Sequence, residues 1–140
     1  MRNGDICFAF QSPLNPDHEE FSAHHAKHGD GVKDVAFTVD DAAGIYYKAV
    51  ERGAKRVTEP TTLEDENGKV IIASVQTYGD TIHTFVQREG YTGKFLPGYT
   101  AHHLSEPLNK LVPIPELKFI DHCVGNQPDG EMEPVASWYE

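Results

Sequence analysis

The sequence predicts an α+β fold built on a βαβββ unit, and three observations lead to this prediction. First, the elements expected between residues 32 and 88 follow the order strand, helix, strand, strand, strand. Second, the strand-like run at residues 32–39 can be aligned with a run at residues 117–124, and each precedes an acidic turn and a helical pattern. Third, a single βαβββ block leaves one sheet face uncovered, and a repeat of the block is the expected way to bury it.

Composition excludes some classes of function. The chain has 140 residues, a hydrophobic fraction of 39% and a formal net charge of −10. Acidic surfaces are unsuited to non-specific binding of nucleic acid or of anionic membranes, so neither is an expected partner. Cys7 and Cys123 lie in apolar, strand-like contexts and could form one disulfide. Free, buried cysteines in a reducing cytosol are the favoured interpretation, which predicts a cytoplasmic protein.

The chain begins with a strand-like run at residues 5–12. Asn15-Pro16 then supplies a helix cap and a proline at the first helical position, and Gly29 is the expected stop after His28. Four histidines lie on this helix, at positions His18, His24, His25 and His28. The i, i+4 pair could bind a metal ion, but a polar helix face is favoured because no Glu, Asp or Cys stands at a ligand-like spacing.

The next segment gives the clearest pattern. Residues 32–39 alternate, which predicts a half-buried strand with Val35, Phe37 and Val39 on one face. Asp40-Asp41 caps a helix that is expected to run through Arg52 and to stop at Gly53. Its apolar stripe consists of Ala42, Ile45, Tyr46, Ala49 and Val50.

Three further strands are expected to complete this unit. A short strand at residues 55–58 ends before Pro60, and an acidic loop leads into Asn67-Gly68, a tight-turn signal. Strands at residues 69–77 and 81–88 follow. His83, in the last of them, is expected to be a hydrogen-bonded sheet residue and not a metal ligand.

The rest of the chain contains the candidate site. Residues 89–117 are rich in Gly and Pro and predict a linker, in which His102-His103 is a surface pair. A buried strand is expected at residues 118–124, followed by a helix at residues 135–140. In such a strand His122 shares an apolar face with its second neighbours, and an imidazole there needs a hydrogen-bonding group, a ligand or a metal. On the repeat alignment, Phe37 takes the place of His122.

Five separated stretches of the sequence then resemble one family, the 4-hydroxyphenylpyruvate dioxygenases. The resemblance runs from about Asn15 to Tyr139, and the related hydroxymandelate synthases share the fold. The stretches are His28-Gly29-Asp30-Gly31-Val32-Lys33-Asp34, Arg52-Gly53-Ala54-Lys55, Gln76-Thr77-Tyr78-Gly79-Asp80-Thr81, Phe95-Leu96-Pro97-Gly98-Tyr99 and Ile120-Asp121-His122-Cys123-Val124-Gly125-Asn126-Gln127-Pro128.

The resemblance implies βαβββ modules of the vicinal-oxygen-chelate (glyoxalase and bleomycin-resistance) type, two in each of two domains. It implies one non-haem Fe(II) held by two histidines and a glutamate, which leaves positions open for a 2-oxo acid and O₂. The resemblance assigns one iron ligand in this sequence, His122. It identifies no catalytic or cofactor-binding residue, and it gives Asp121 no role. It also implies a homo-oligomer that acts on an aromatic 2-oxo acid.

On this basis the chain is expected to be a piece of a longer protein, with a βαβββ module that is incomplete at both ends. Residues 1–88 would belong to the non-catalytic domain, including one full unit at 32–88. Residues 89–117 would form the interdomain linker, and residues 118–140 the start of the catalytic domain.

Three alternatives stay open at this point. One is a stand-alone, non-catalytic βαβββ module for binding or dimerisation, in which two copies bury each other's sheet. Another is a hydroxymandelate synthase-like relative. The last is a small-molecule sequestering or isomerase relative, which would need ligands within residues 32–88. Phe37 and the absence of an acid at residues 81–88 argue against that last class.

Overall fold

A computed structural model of the chain describes residues 1–15, 17–102, 107–113 and 115–140. The described residues form helices and mixed sheets, which confirms the predicted α+β class. They group into two compact units, one of Ala23–His103 and one of Met1–Ser22 with Leu104–Glu140. Pro16, predicted at the first helical position, and His103, predicted in a loop pair, lie outside the described residues.

The N-terminal elements are shorter than the sequence predicts. Strand β1 (Arg2–Asn3) pairs antiparallel with strand β2 (Ile6–Cys7), and Gly4 turns between them with a φ of 58°. The strand expected at residues 5–12 is therefore wrong beyond Cys7, because β1 offers only two residues for pairing. Helix α1 (Glu19–His28) ends at Gly29, as predicted, where φ is 64°. The predicted start at Asn15-Pro16 is wrong, because His18 lies before the helix and its Nδ1 accepts the N–H of Phe21 at 3.3 Å.

The unit of Ala23–His103 contains the predicted βαβββ order. It consists of strand β3 (Phe37–Thr38), helix α2 (Ala42–Glu51) and strands β4 (Lys55–Asp65), β5 (Gly68–Gln76) and β6 (Ile82–Arg88). The four strands lie in the order β3-β6-β5-β4. Strand β3 runs parallel to β6, and the other neighbours are antiparallel. The first and last strands of the unit are therefore adjacent. The prediction of a half-buried strand at residues 32–39 is wrong in length and burial, because β3 is an edge strand whose two residues are exposed.

Helix α2 has the ends that the sequence predicts. The Asp41 carboxylate accepts a hydrogen bond of 2.8 Å from the backbone N–H of Gly44. At the other end, the N–H of Gly53 bonds to the carbonyl of Val50 and the N–H of Ala54 to that of Ala49. These two bonds form a Schellman motif, and Gly53 adopts the positive φ, 105°, that the motif requires.

The core of this unit lies between α2 and the centre of the sheet. Tyr46 on α2 and Ala73 and Val75 on β5 are buried together, and Phe85 packs against them. Burial of apolar surface is the main stabilising contribution to such a unit, at about 25 cal/mol per Å². Because Tyr46 is the largest fully buried side chain, the stability of this core should respond strongly to a change there.

Strand β4 is longer than predicted. It continues through Pro60 to Asp65, with register irregularities between Arg56 and Thr58 and between Thr58 and Thr61. The prediction that it stops before Pro60 is wrong because β4 is an edge strand. A proline on an edge strand removes no hydrogen bond from the interior of the sheet, so the strand tolerates it.

The strand predicted at residues 118–124 is absent from the structure. Residues 118–124 form no strand, and Phe119 and Val124 are 72% and 79% exposed. A strand requires a neighbour that pairs with its backbone, and the described residues provide none for this segment. Beyond it, helix α3 (Met132–Tyr139) confirms the predicted helix and begins three residues earlier.

Two further findings concern the described residues. Both thiols, Cys7 and Cys123, are free, as predicted, but they are exposed. The prediction of buried cysteines is wrong because the strands expected around them are short or absent. Among the helices of the described part of the chain, none combines the length and the apolar character needed to cross a membrane.

Candidate functional site

His122 is the one metal ligand that the sequence predicts, and it lies in the extended segment before α3. Its Nδ1 donates a hydrogen bond of 2.6 Å to the Asp121 carboxylate, and the two side chains are 71% and 79% exposed. A carboxylate on Nδ1 fixes the tautomer that keeps the lone pair of the other ring nitrogen, Nε2, available to a metal ion. In a paired strand the two side chains would point to opposite faces, so this contact belongs to the unpaired segment.

The donors needed for an iron centre are not assembled around His122. No group of three His, Cys, Asp or Glu side chains in the described part of the chain could hold a metal ion. A facial iron site requires two histidines and a carboxylate. The described residues therefore do not fit a complete iron centre.

In the complete βαβββ unit, Phe37 stands at the position that the repeat alignment gives to His122, and it is 45% exposed. Phe37 pairs with Phe85 across the parallel strands β3 and β6. The ring of His83 lies 5.0 Å from that of Phe37, and its Nδ1 donates a hydrogen bond of 2.9 Å to the carbonyl of Val35. The prediction that His83 is a hydrogen-bonded sheet residue is confirmed.

A chain of hydrogen bonds that the sequence does not predict joins Ser74, Thr84 and Asp34 on the other face of the sheet. The Thr84 hydroxyl donates a 2.6 Å hydrogen bond to the Asp34 carboxylate, and its N–H donates to the same group at 3.1 Å. The hydroxyls of Ser74 and Thr84 are 2.8 Å apart, so Ser74 donates to Thr84. Desolvation raises the pKa of Asp34, and the hydrogen bonds from Thr84 oppose that rise. The only sequence signal was a carboxylate within an alternating strand.

Lys27 and His28, at the end of α1, both bind one carboxylate. Lys27 Nζ and His28 Nε2 donate hydrogen bonds of 2.6 Å and 2.8 Å to one oxygen of Asp80, in the turn between β5 and β6. The rings of His24 and His28 are 4.6 Å apart. Desolvation and the nearby positive charges of His28 and Lys33 lower the pKa of His24. The fold thus brings a carboxylate beside the pair that the sequence spacing does not predict. Lys27 binds the same oxygen, and no group of three donors among the described residues could hold a metal ion.

Asp80 should hold the last turn of α1 in place, because α1 buries no side chain of its own. Hydrogen bonds from Lys27 and His28 lower the pKa of Asp80 from 3.8 to about 2. The contact should therefore be fully formed above pH 3.8 and be lost as the pH falls through about 2. We expect Asp80→Asn to make amide exchange at Ala23–His28 about two- to fivefold faster, as measured by hydrogen–deuterium exchange.

Asp30→Asn is the matched control for this prediction. Asp30 lies just after α1 and pairs with His25 of that helix at 3.2 Å, but the Asp30 side chain is fully exposed. The substitution Asp30→Asn should therefore leave amide exchange in α1 unchanged. Equal exchange rates in the two variants would show that Asp80 does not restrain the helix.

The βαβββ order and the parallel contact of its first and last strands define a vicinal-oxygen-chelate unit. Its described residues contain no complete metal centre. The family described as "Hydroxyphenylpyruvate dioxygenase, HPPD, N-terminal" matches residues 1–96. The chain belongs to that family. His122 lies outside the matched residues.

Relatives of known name agree with this assignment over the whole chain. A 4-hydroxyphenylpyruvate dioxygenase from Danio rerio is 54% identical over 100% of this chain and 36% of its own length. One from Tetrahymena thermophila is 50% identical over 96% of this chain and 34% of its own length. The chain thus spans about a third of the length of these relatives. A solved mutant of 4-hydroxymandelate synthase from Streptomyces coelicolor aligns with 60% of this chain and 27% of its own, at 27% identity and a TM-score of 0.47.

Proposed function

We propose that this chain forms a segment of an Fe(II)-dependent oxidoreductase, a 4-hydroxyphenylpyruvate dioxygenase. The complete protein would convert 4-hydroxyphenylpyruvate and O₂ to homogentisate and CO₂ in tyrosine and phenylalanine catabolism. The observation that carries this proposal is the match of the family to residues 1–96, together with relatives of that name that align with the chain along its whole length.

The predicted organisation of the complete protein is part of the proposal. Residues 1–88 would lie in the non-catalytic domain, residues 89–117 would connect the domains, and residues 118–140 would open the catalytic domain. The ligand-free pair Phe37 and Phe85 supports a non-catalytic role for the first full unit.

We assign His122 as one of three ligands of the Fe(II) ion in that complete protein. The family resemblance of Ile120-Asp121-His122 supports this assignment, and so does an imidazole whose Nδ1 donates to a carboxylate. The ion would supply the oxygen chemistry, with the 2-oxo acid bound at its open positions. Because the described residues do not complete the site, no step of the reaction is assigned to them.

The proposed partners and compartment follow from the same family. They are an aromatic 2-oxo acid and O₂, with a homo-oligomer as the assembled form and no nucleic acid or membrane. A cytoplasmic location is part of the proposal, and the two free thiols, Cys7 and Cys123, are compatible with the reducing conditions there.

The 140-residue chain alone provides a direct test of the incomplete site. We expect weak Fe(II) binding and no oxygen uptake with 4-hydroxyphenylpyruvate, because one histidine cannot hold the ion against water. Equilibrium dialysis would measure the iron and an oxygen electrode the turnover. Turnover by the purified chain would overturn the assignment of a partial site.

A further inference from the structure

Residues 89–99, which we call the arm, follow β6 and were predicted to begin a linker. The arm has no helix or strand, yet it contacts the turn between β4 and β5 at several points. The N–H and the hydroxyl of Thr92 both donate to the carbonyl of Asn67, at 3.1 Å and 3.3 Å. The arm therefore lies on its own unit of the chain over at least part of its length.

Asp65, the last residue of β4, is the point where these contacts converge. Its Oδ2 accepts hydrogen bonds from the Tyr91 hydroxyl at 3.2 Å and from the backbone N–H of Gly98 at 3.1 Å. Its Oδ1 accepts a bond of 2.8 Å from the backbone N–H of Asn67. One carboxylate thus joins both ends of the arm to the β4–β5 turn.

The local backbone makes this convergence possible. Gly68 has a φ of 123°, and the α-carbon of Tyr91 is 3.5 Å from the position that a side chain there would occupy. Gly98 has a φ of 87°, a conformation that side-chain-bearing residues rarely adopt. Arg88 Nε also donates to the carbonyl of Phe95 at 3.4 Å, and the Phe95 ring packs on Tyr99 at 5.0 Å.

The electrostatics of Asp65 agree with the geometry. Desolvation raises its pKa, but hydrogen bonds from the N–H groups of Asn67 and Gly98 and from the Tyr91 hydroxyl outweigh this, so that the pKa lies below the usual 3.8. A carboxylate that accepts several N–H and O–H bonds is stabilised in its charged form. The bonds should therefore be strongest when Asp65 is ionised.

We infer that Asp65 is the residue that anchors the arm to the β4–β5 turn. This shortens the connecting segment proposed above, residues 89–117, to the residues that follow Tyr99. The three bonds to Asp65 and the two from Thr92 carry this inference. It does not depend on the proposed iron chemistry, since no metal ligand takes part. Asp65 is a positioning residue, and the arm belongs to the βαβββ unit.

The first test is an NMR pH titration of the 140-residue chain. If one carboxylate accepts from both amides, the amide protons of Asn67 and Gly98 should shift together, with one midpoint below 3.8. Asp65→Asn should abolish both shifts. A Gly98 amide that does not titrate, while that of Asn67 does, would overturn the inference.

The second test measures how firmly the arm is held. Trypsin should cleave after Lys94 several-fold faster in Asp65→Asn than in the unaltered chain, because cleavage requires the arm to open. Glu64→Gln is the matched control, since Glu64 lies on the same strand and pairs with Lys69 at 3.4 Å. Equal cleavage in the two variants would contradict the inference.

A third variant keeps the test decisive if Asp65→Asn does not fold. Tyr91→Phe removes one hydrogen bond to Asp65 and keeps the ring in place. Its thermal melting curve should be unchanged. Trypsin should still cleave this variant after Lys94 faster than the unaltered chain, by a smaller factor than for Asp65→Asn. Cleavage at the rate of the unaltered chain would count against Asp65 as the anchor.

Discussion

Replacing His122 with alanine in a full-length protein that carries this sequence is expected to remove its iron and its activity. A facial site that loses one of three ligands retains too few donors to hold Fe(II) against water. Loss of a residue that only supports a ligand already costs about 10- to 100-fold in metal affinity, so loss of the ligand should cost more. Metal analysis of the purified protein would measure the iron, and homogentisate formation the activity.

His25→Ala is the control for that experiment. His25 is also an exposed histidine beside a carboxylate, since its ring bonds to Asp30 at 3.2 Å. The His25→Ala variant should keep full iron content and activity. If His122→Ala retained iron and turnover like this control, the assignment of His122 would be wrong.

Replacing Tyr46 with alanine is expected to have the largest effect on the stability of the βαβββ unit. Tyr46 is 0% exposed and packs with Ala73 and Val75 between α2 and the sheet. Truncating a buried aromatic side chain costs about 3–5 kcal/mol, through lost transfer free energy and the cavity that remains. Urea denaturation of the 140-residue chain would measure the change in the free energy of unfolding.

Tyr46→Phe separates the contribution of the ring from that of the hydroxyl. The Tyr46 hydroxyl is buried and has no hydrogen-bond partner among the described residues. A buried polar group without a partner is destabilising, so its removal should leave stability unchanged or raise it by about 1 kcal/mol. A loss comparable with that of Tyr46→Ala would mean that the hydroxyl, and not the ring, holds the helix.

Local signals explain why the sequence predicts α2, β5 and β6 well. Asp41 caps the helix through an atom three residues away, and Gly53 ends it through bonds within one turn. Strands β5 and β6 are bounded by the turn residues Asn67-Gly68 and Gly79-Asp80. Each of these features is decided by residues close together in the sequence.

The features that the sequence misses depend on distant partners. Strand β4 passes Pro60 because it lies at the edge of the sheet, which no local pattern reveals. The segment around His122 stays unpaired because a strand needs a neighbour. Asp34 finds Thr84, and Asp65 finds Gly98, only through the folded sheet and its loops.

We propose that the full-length protein carrying this sequence is an iron-dependent dioxygenase that acts on 4-hydroxyphenylpyruvate. To test this proposal, a full-length protein that carries this sequence is supplied with Fe(II), O₂ and 4-hydroxyphenylpyruvate. The product is then identified by mass spectrometry. Homogentisate, formed together with CO₂ as oxygen is consumed, is the predicted result. Hydroxymandelate as the product, or no oxygen consumption by the iron-loaded protein, would contradict the proposed dioxygenase activity.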